Sequence, residues 1–133
     1  MSSKFSILTL VIAGLIIIGA LACNDSSYQP DAGDEVVIYT AKYKPAGFEE
    51  AKKIHVEGFG EAMNASGQDR RTYFLEDEAN SEIIAISFFK KGHTAEDWHD
   101  HEERDKMLKK LEPLLRKPIT HEELIVIDDH STE

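Results

Sequence analysis

The chain is nearly devoid of cysteine: Cys23 is the only one among 133 residues. One cysteine excludes an intrachain disulfide, a CxxC redox pair and a structural zinc built on thiolates. Basic residues are also scarce. Fifteen Lys and Arg stand against twenty-five Asp and Glu, a formal net charge of −10. That balance excludes a nucleic-acid partner, because phosphate needs a basic face to meet it. No nucleophile triad, P-loop or dinucleotide glycine motif is present. The Gly58-Phe59-Gly60 triplet falls inside a helical pattern and reads as close packing rather than phosphate binding. The apolar content of 41% excludes wholesale disorder, and the length allows one domain.

Charge is distributed unevenly. Lys4 is the only charged side chain before Cys23, and the 18 residues from Phe5 to Ala22 carry none. A basic start, an apolar run and small residues before a polar stretch make up the layout of a secretory signal. Gly19-Ala20-Leu21-Ala22-Cys23 resembles the lipobox of bacterial lipoproteins, in which a small residue precedes the cysteine. Leu and Ala are transposed from the commonest form. The resemblance implies a signal peptide over 1–22, diacylation of Cys23, and attachment of the mature chain to a membrane of the bacterial cell envelope. There it would face the periplasm or exterior. Two other readings remain at this stage. The apolar run is long enough to stay as a spanning anchor, or Cys23 is an incidental thiol. Cleavage would remove 22 of the 133 residues, leaving 111, and loss of Lys4 would move the charge from −10 to −11.

The polar residues after Cys23, as far as Asp34, read as a flexible tether, and the domain is expected over 35–130. Glu35–Tyr43 reads as a strand. Pro45 opens a helix whose apolar stripe runs through Phe48, Ala51, His55, Phe59, Ala62 and Met63. Arg71–Glu76 and Glu82–Phe89 read as a hairpin. Thr94 caps a second helix expected to run to Glu112, and Glu123–Asp128 reads as the last strand. The order β-α-β-β-α-β is the α+β, ferredoxin-like arrangement: a four-stranded antiparallel sheet with both helices on one face. Val36–Tyr39, Ile83–Ile86 and Leu124–Ile127 are apolar on both faces, unlike strands with one wet face. A second copy of the sheet is the expected cover, making a homodimer. The competing reading is an apolar surface left open.

This order of elements, with both sheet faces apolar, resembles the dimeric α/β-barrel superfamily. Within it, the chain is most similar to the antibiotic biosynthesis monooxygenase domain family. Ile86-Ser87-Phe88-Phe89-Lys90-Lys91 followed by Ala95–His101 matches that family's third strand, polar turn and histidine-bearing helix. His101 stands at the helix histidine, and Phe89 where the family usually has tryptophan. The resemblance implies a small aromatic or quinone-like ligand and, in enzymes of the family, oxidation without a cofactor. Haem-handling relatives use an asparagine on the first strand and a tryptophan at the strand exit. Both are missing here, which counts against haem binding.

The residues themselves point to the same region. His55 lies at the centre of the first helix's apolar stripe. Arg104 and His101 continue the Leu108-Leu111-Leu115 stripe of the second. A polar group facing inward must find a partner or line a cavity. His55, His101 and Arg104 are therefore expected to converge on one pocket, walled by Tyr39, Tyr43, Tyr73 and Trp98. Histidine can take the proton of an acidic phenol, and arginine can hold the resulting anion. Against this, inward histidines are commonly satisfied core residues, and Arg104 has Asp100 and Asp105 as nearby ion-pair candidates. No metal site is expected. His99 and His101, two apart on a continuous helix, point in opposed directions, and His99 with Glu103 supplies only two ligands.

Overall fold

The structure, a computed structural model, describes residues 28–67 and 70–130. The expected signal segment over 1–22, Cys23 and residues 24–27 lie outside the described residues. Four strands are present: β1 (Glu35–Lys42), β2 (Arg70–Asp77), β3 (Glu82–Phe89) and β4 (Thr120–Ile125). They form one sheet in the order β2-β3-β1-β4, with every neighbouring pair antiparallel. The helical segments join β1 to β2 and β3 to β4 and pack on one side of the sheet. This is the ferredoxin-like arrangement expected from the order of elements.

The first helical arm is not a uniform α-helix. Pro45 begins a 3₁₀ turn, Pro45–Gly47, where its missing N–H costs nothing. α1 (Phe48–Lys53) follows, then a π-helical turn, Ile54–Phe59, then α2 (Gly60–Ala65). The π turn carries His55 and Phe59, both buried, and such turns are common at functional sites. Within it, Gly58 packs tightly against the second arm: a Cβ there would lie 2.5 Å from the Met107 sulfur. A Cβ here would displace the end of the flexible Met107 side chain. Gly60 meets nothing within 4 Å, so the close-packing explanation does not extend to it.

The second arm departs further from expectation. Thr94 caps α3 (Ala95–His99), its hydroxyl accepting from the Asp97 N–H at 3.4 Å. The helix then stops. His101 takes an extended backbone (φ −76°, ψ 132°) and caps α4 (Glu102–Leu111), its Nδ1 accepting from the Glu103 N–H at 3.2 Å. The expected single helix is therefore two, meeting at Asp100 and His101. A side chain that can satisfy an orphan N–H replaces the glycine or proline that usually marks such a break. In α4, acidic Glu102, Glu103 and Asp105 lie in the first turn and Lys109 and Lys110 in the last, an order that complements the helix dipole.

Strand β4 begins three residues earlier than its apolar run suggests. Register sets His121 opposite Tyr39 and Glu123 opposite Val37. As an edge strand it is exposed along its whole length, so polar residues are tolerated where the apolar pattern does not reach. Backbone bonds continue past it: the Val126 N–H donates to Asp34 and the Gly33 N–H to Val126, at 2.9 and 2.8 Å.

Those bonds also revise the tether. Buried Asp34 accepts from the Tyr28 hydroxyl and from the N–H groups of Asp31 and Lys91, both at 2.9 Å. Burial alone would raise its pKa, but these donors hold the carboxyl below its ordinary value. Residues 28–34 are thus bound to the domain rather than free of it.

Strand parity divides the sheet. Val37, Tyr39, Ala41, Ile83, Ala85, Phe89 and Phe74 face the helices and the main core with Ala51, Phe59, Trp98 and Leu111. The opposite face carries Val36, Ile38, Ile84, Ile86, Phe88, Tyr73, Leu75 and Leu124. Among the described residues no helix covers it, and Tyr73, Leu75 and Leu124 are each nearly half exposed. The sheet is apolar on both sides, as its strand sequences imply.

Candidate functional site

A partly open, mainly apolar cavity of about 40 Å³ lies between sheet and helices. That is room for a few water molecules. Tyr39, Phe74 and Ala85 line it from the sheet, His55 and Phe59 from the first arm, and Trp98, Arg104 and Leu108 from the second. Beside it, under α4 and against β4, lies an open groove of about 430 Å³. Tyr39, Arg104, Leu108 and Ile119 belong to both and form the boundary between them, called the neck below. The groove lies in the size range of small-molecule sites.

His55 is positioned by the π turn and buried. Its Nε2 lies 2.5 Å from the Tyr43 hydroxyl, its ring stacks on Phe59 at 5.3 Å, and Phe74 meets it edge-on at 5.8 Å. Burial lowers its pKa to about 4. Burial also pushes the Tyr43 phenol up. Both groups are neutral near pH 7, so His55 is a weak proton acceptor in this state.

At the neck, the Tyr39 hydroxyl lies 2.7 Å from Nε2 of His99. Burial pushes the Tyr39 pKa up to about 12, with Arg104 and Arg70 pulling the other way. His99 is shifted below its ordinary value, first by burial and then by the positive charge of Arg104. Arg104 makes no ion pair with Asp100 or Asp105 among the described residues. Its closest polar contact there is Nη1 with the His99 carbonyl at 3.4 Å. Its charge therefore remains directed at the neck.

The residues singled out in the sequence separate into groups. His55, Trp98, Tyr39 and Arg104 meet around the cavity, as expected. His101 does not line it: the ring lies against Trp98 at 5.9 Å with Nδ1 engaged in the helix cap. An accepting Nδ1 places the ring proton on Nε2. Phe89 is fully buried on the helix side but sits behind the cavity wall, under the Arg70 guanidinium at 5.9 Å. Tyr73 is on the wrong face. Strand parity sends it to the uncovered side, where it meets Phe88 at 6.3 Å, so it cannot wall this cavity.

Three participants were not singled out. Arg70 lies 4.5 Å over the Trp98 ring and donates to the Ser66 hydroxyl at 2.8 Å. Burial draws its pKa down to about 10, which leaves it charged at neutral pH. Its parity with Phe74 on β2 carried the signal, since residues two and four apart share a face. His121 and Glu123 join the site through the register of β4, which the apolar pattern misplaces.

No protein-family model and no curated protein matches the chain. Solved structures share its fold. A candidate antibiotic biosynthesis monooxygenase from Caulobacter crescentus aligns with a TM-score of 0.60 and 12% identity, over 74% of this chain and 94% of its own. A monooxygenase from the gene ActVA-Orf6 of Streptomyces coelicolor, solved with the ligand nanaomycin D, aligns at 0.60 and 11%, over 76% and 94%. A dimeric ferredoxin-like protein from an uncultured marine organism aligns at 0.54 and 14%, over 76% and 94%. At these identities the likeness is one of fold, and the chain carries the ferredoxin-like fold of these proteins.

Proposed function

We propose that this chain binds a small aromatic or quinone-like molecule between sheet and helices, as a dimeric domain anchored to the bacterial cell envelope by lipid on Cys23. The observation that carries the binding reading is the neck formed by Tyr39, Arg104, Leu108 and Ile119. It lies between an apolar cavity and a groove large enough for a small ligand. Apolar walls suit a ring, and Arg104 suits an anionic oxygen on it. The uncovered face of Ile84, Ile86, Phe88 and Leu124 supports a second copy as its cover, in keeping with the dimeric marine protein of the same fold. The lipobox-like run before Cys23 supports the anchor.

Oxidation of the bound molecule without a cofactor is the further step suggested by the Streptomyces monooxygenase. It needs a base for the substrate's proton: His55 lines the cavity, whereas His101 would have to leave its helix cap to reach it. The hydrogen bonds now made by both histidines favour binding over turnover.

Trp98, the sole tryptophan, lines the cavity, so its fluorescence reports occupancy directly. Titration with a panel of naphthoquinols and hydroxyquinones should quench it saturably, with affinity weakened about tenfold in Arg104→Met, the loss expected of one charge-assisted contact. Absence of saturable quenching across the panel refutes the binding reading. Oxygen uptake measured in the same cuvette separates the two chemistries: uptake lost in His55→Ala supports oxidation, and no uptake with quenching intact supports binding alone.

A further inference from the structure

The end of α3 and the edge strand β4 bring three ligating side chains together. His121 and Glu123 are two apart on a strand and so project from one face. That is the helix-facing side, because His121 pairs with Tyr39. The His99 and His121 rings lie 5.2 Å apart, and His121 Nε2 is 3.8 Å from Glu123 Oε1. One ring nitrogen of each histidine and one carboxylate oxygen of Glu123 lie within 4.8 Å of one another. We propose that His99, His121 and Glu123 form a binding site for one divalent first-row transition cation of the zinc class.

Ligand chemistry selects the cation. Two imidazoles and a carboxylate suit zinc, cobalt, nickel or copper, whereas calcium and magnesium take oxygen ligands. Around one zinc, ligand atoms at ~2.0–2.2 Å from the metal stand roughly 3–4 Å from each other. The present spacing closes to that by rotation of His121 and Glu123, whose side chains are 46% and 58% exposed. His99, half buried, is the fixed ligand. The Tyr39 hydroxyl at its Nε2 sets the rotation of its ring, as an outer-shell partner does.

Charge around the site is mixed. Arg104 opposes a cation, while Glu123 and Asp100 favour one, and all three act on His99 together with His121. Three protein ligands leave a coordination position for water or a small ligand. His121 and Tyr39 also line the groove, so the site borders the pocket without depending on the quinone-like ligand.

The full-length protein, in detergent, should be titrated with Zn²⁺ by calorimetry and with Co²⁺ by visible absorption. One equivalent is expected to bind saturably, with the intense d–d bands of a low-coordinate cobalt ion. His121→Ala and Glu123→Gln should each weaken binding at least about tenfold. Both positions are exposed on an edge strand, so the variants keep their fold, as circular dichroism will verify. His130→Ala, which alters a separate exposed His130–Asp128 pair, should leave binding unchanged. Failure to saturate, or saturation unaltered in His121→Ala and Glu123→Gln, overturns the proposal.

Discussion

Removing the Tyr43 hydroxyl tests the energetics of the hydrogen bond behind the cavity-lining His55. Tyr43→Phe keeps the ring in its fully buried place and deletes the partner of His55 Nε2. Among the described residues no buried side-chain nitrogen or oxygen lacks a partner, so the substitution introduces such a defect. An orphaned buried acceptor costs about 1–3 kcal/mol, while replacing both partners by apolar groups of similar shape is nearly neutral. Tyr43→Phe alone should therefore lower the melting temperature by roughly 5–20 °C, at ~4–8 °C per kcal/mol for a domain of this size. The pair Tyr43→Phe with His55→Phe should recover most of that loss.

The same pair isolates a pH dependence. In the folded chain His55 has its pKa lowered from 6.5 to about 4, so the unfolded chain binds the extra proton between those values. Stability from this group is present above pH 6.5 and is lost as pH falls toward 4. The gap is worth about 3 kcal/mol. Urea unfolding of the parent and the double variant at half-unit intervals from pH 7 to 4 gives the comparison. Carboxylates and His99 titrate in both proteins and cancel in the difference. The parent should lose about 3 kcal/mol more than the double variant, and parallel profiles would falsify the assignment of His55 as a buried neutral base.

Three further outcomes are expected. Asp34→Ala removes the acceptor that ties Tyr28, Asp31 and Lys91 together, and should cost about 1–3 kcal/mol in urea unfolding; a change within error would show that residues 28–34 do not contribute to domain stability. Ile86→Glu places a charge at the centre of the uncovered face, so multi-angle light scattering should report a dimer for the parent and a single copy for the variant. A monomeric parent removes the pairing reading. Labelled palmitate should enter the parent in a bacterial host and be absent from Cys23→Ser, and label retained in the variant would rule out Cys23 as the acylated residue.

Much of the architecture was legible because strand parity is robust to errors of a residue or two at strand ends. Glu82–Phe89 alternates buried and half-buried positions along its whole length, and its boundaries match the expected strand. Thr94 was legible as a cap because its hydroxyl has a near-fixed task at that position. Parity also held information that was passed over: Tyr73 and Phe74 are adjacent, so only one can face the helices. The apolar expectation for the cavity wall attached to Tyr73, although Phe74 is the residue that lines it.

The candidate site was harder to read because its decisive residues depend on two irregularities. One is the break at His101. The 100° rotation per residue that sets His99 and His101 on opposite sides of a helix applies only while the helix continues. Here His101 ends that rotation by turning into a cap, and its side chain is drawn to the Glu103 N–H instead of the cavity. The other is the register of β4. Apolar content places the strand at Glu123–Asp128, which leaves His121 in a loop. Pairing with β1 from Thr120 onward sets His121 beside Tyr39 and brings it to His99. Edge strands are the elements in which hydrophobic alternation constrains register least, because one side of the ladder has no neighbour and water satisfies the polar side chains. The two irregularities act together. A break placed one turn later, or a strand slipped by one residue, would turn His99 or His121 away from the other. The three-ligand cluster is therefore a property of long-range pairing, and no spacing within either segment encodes it.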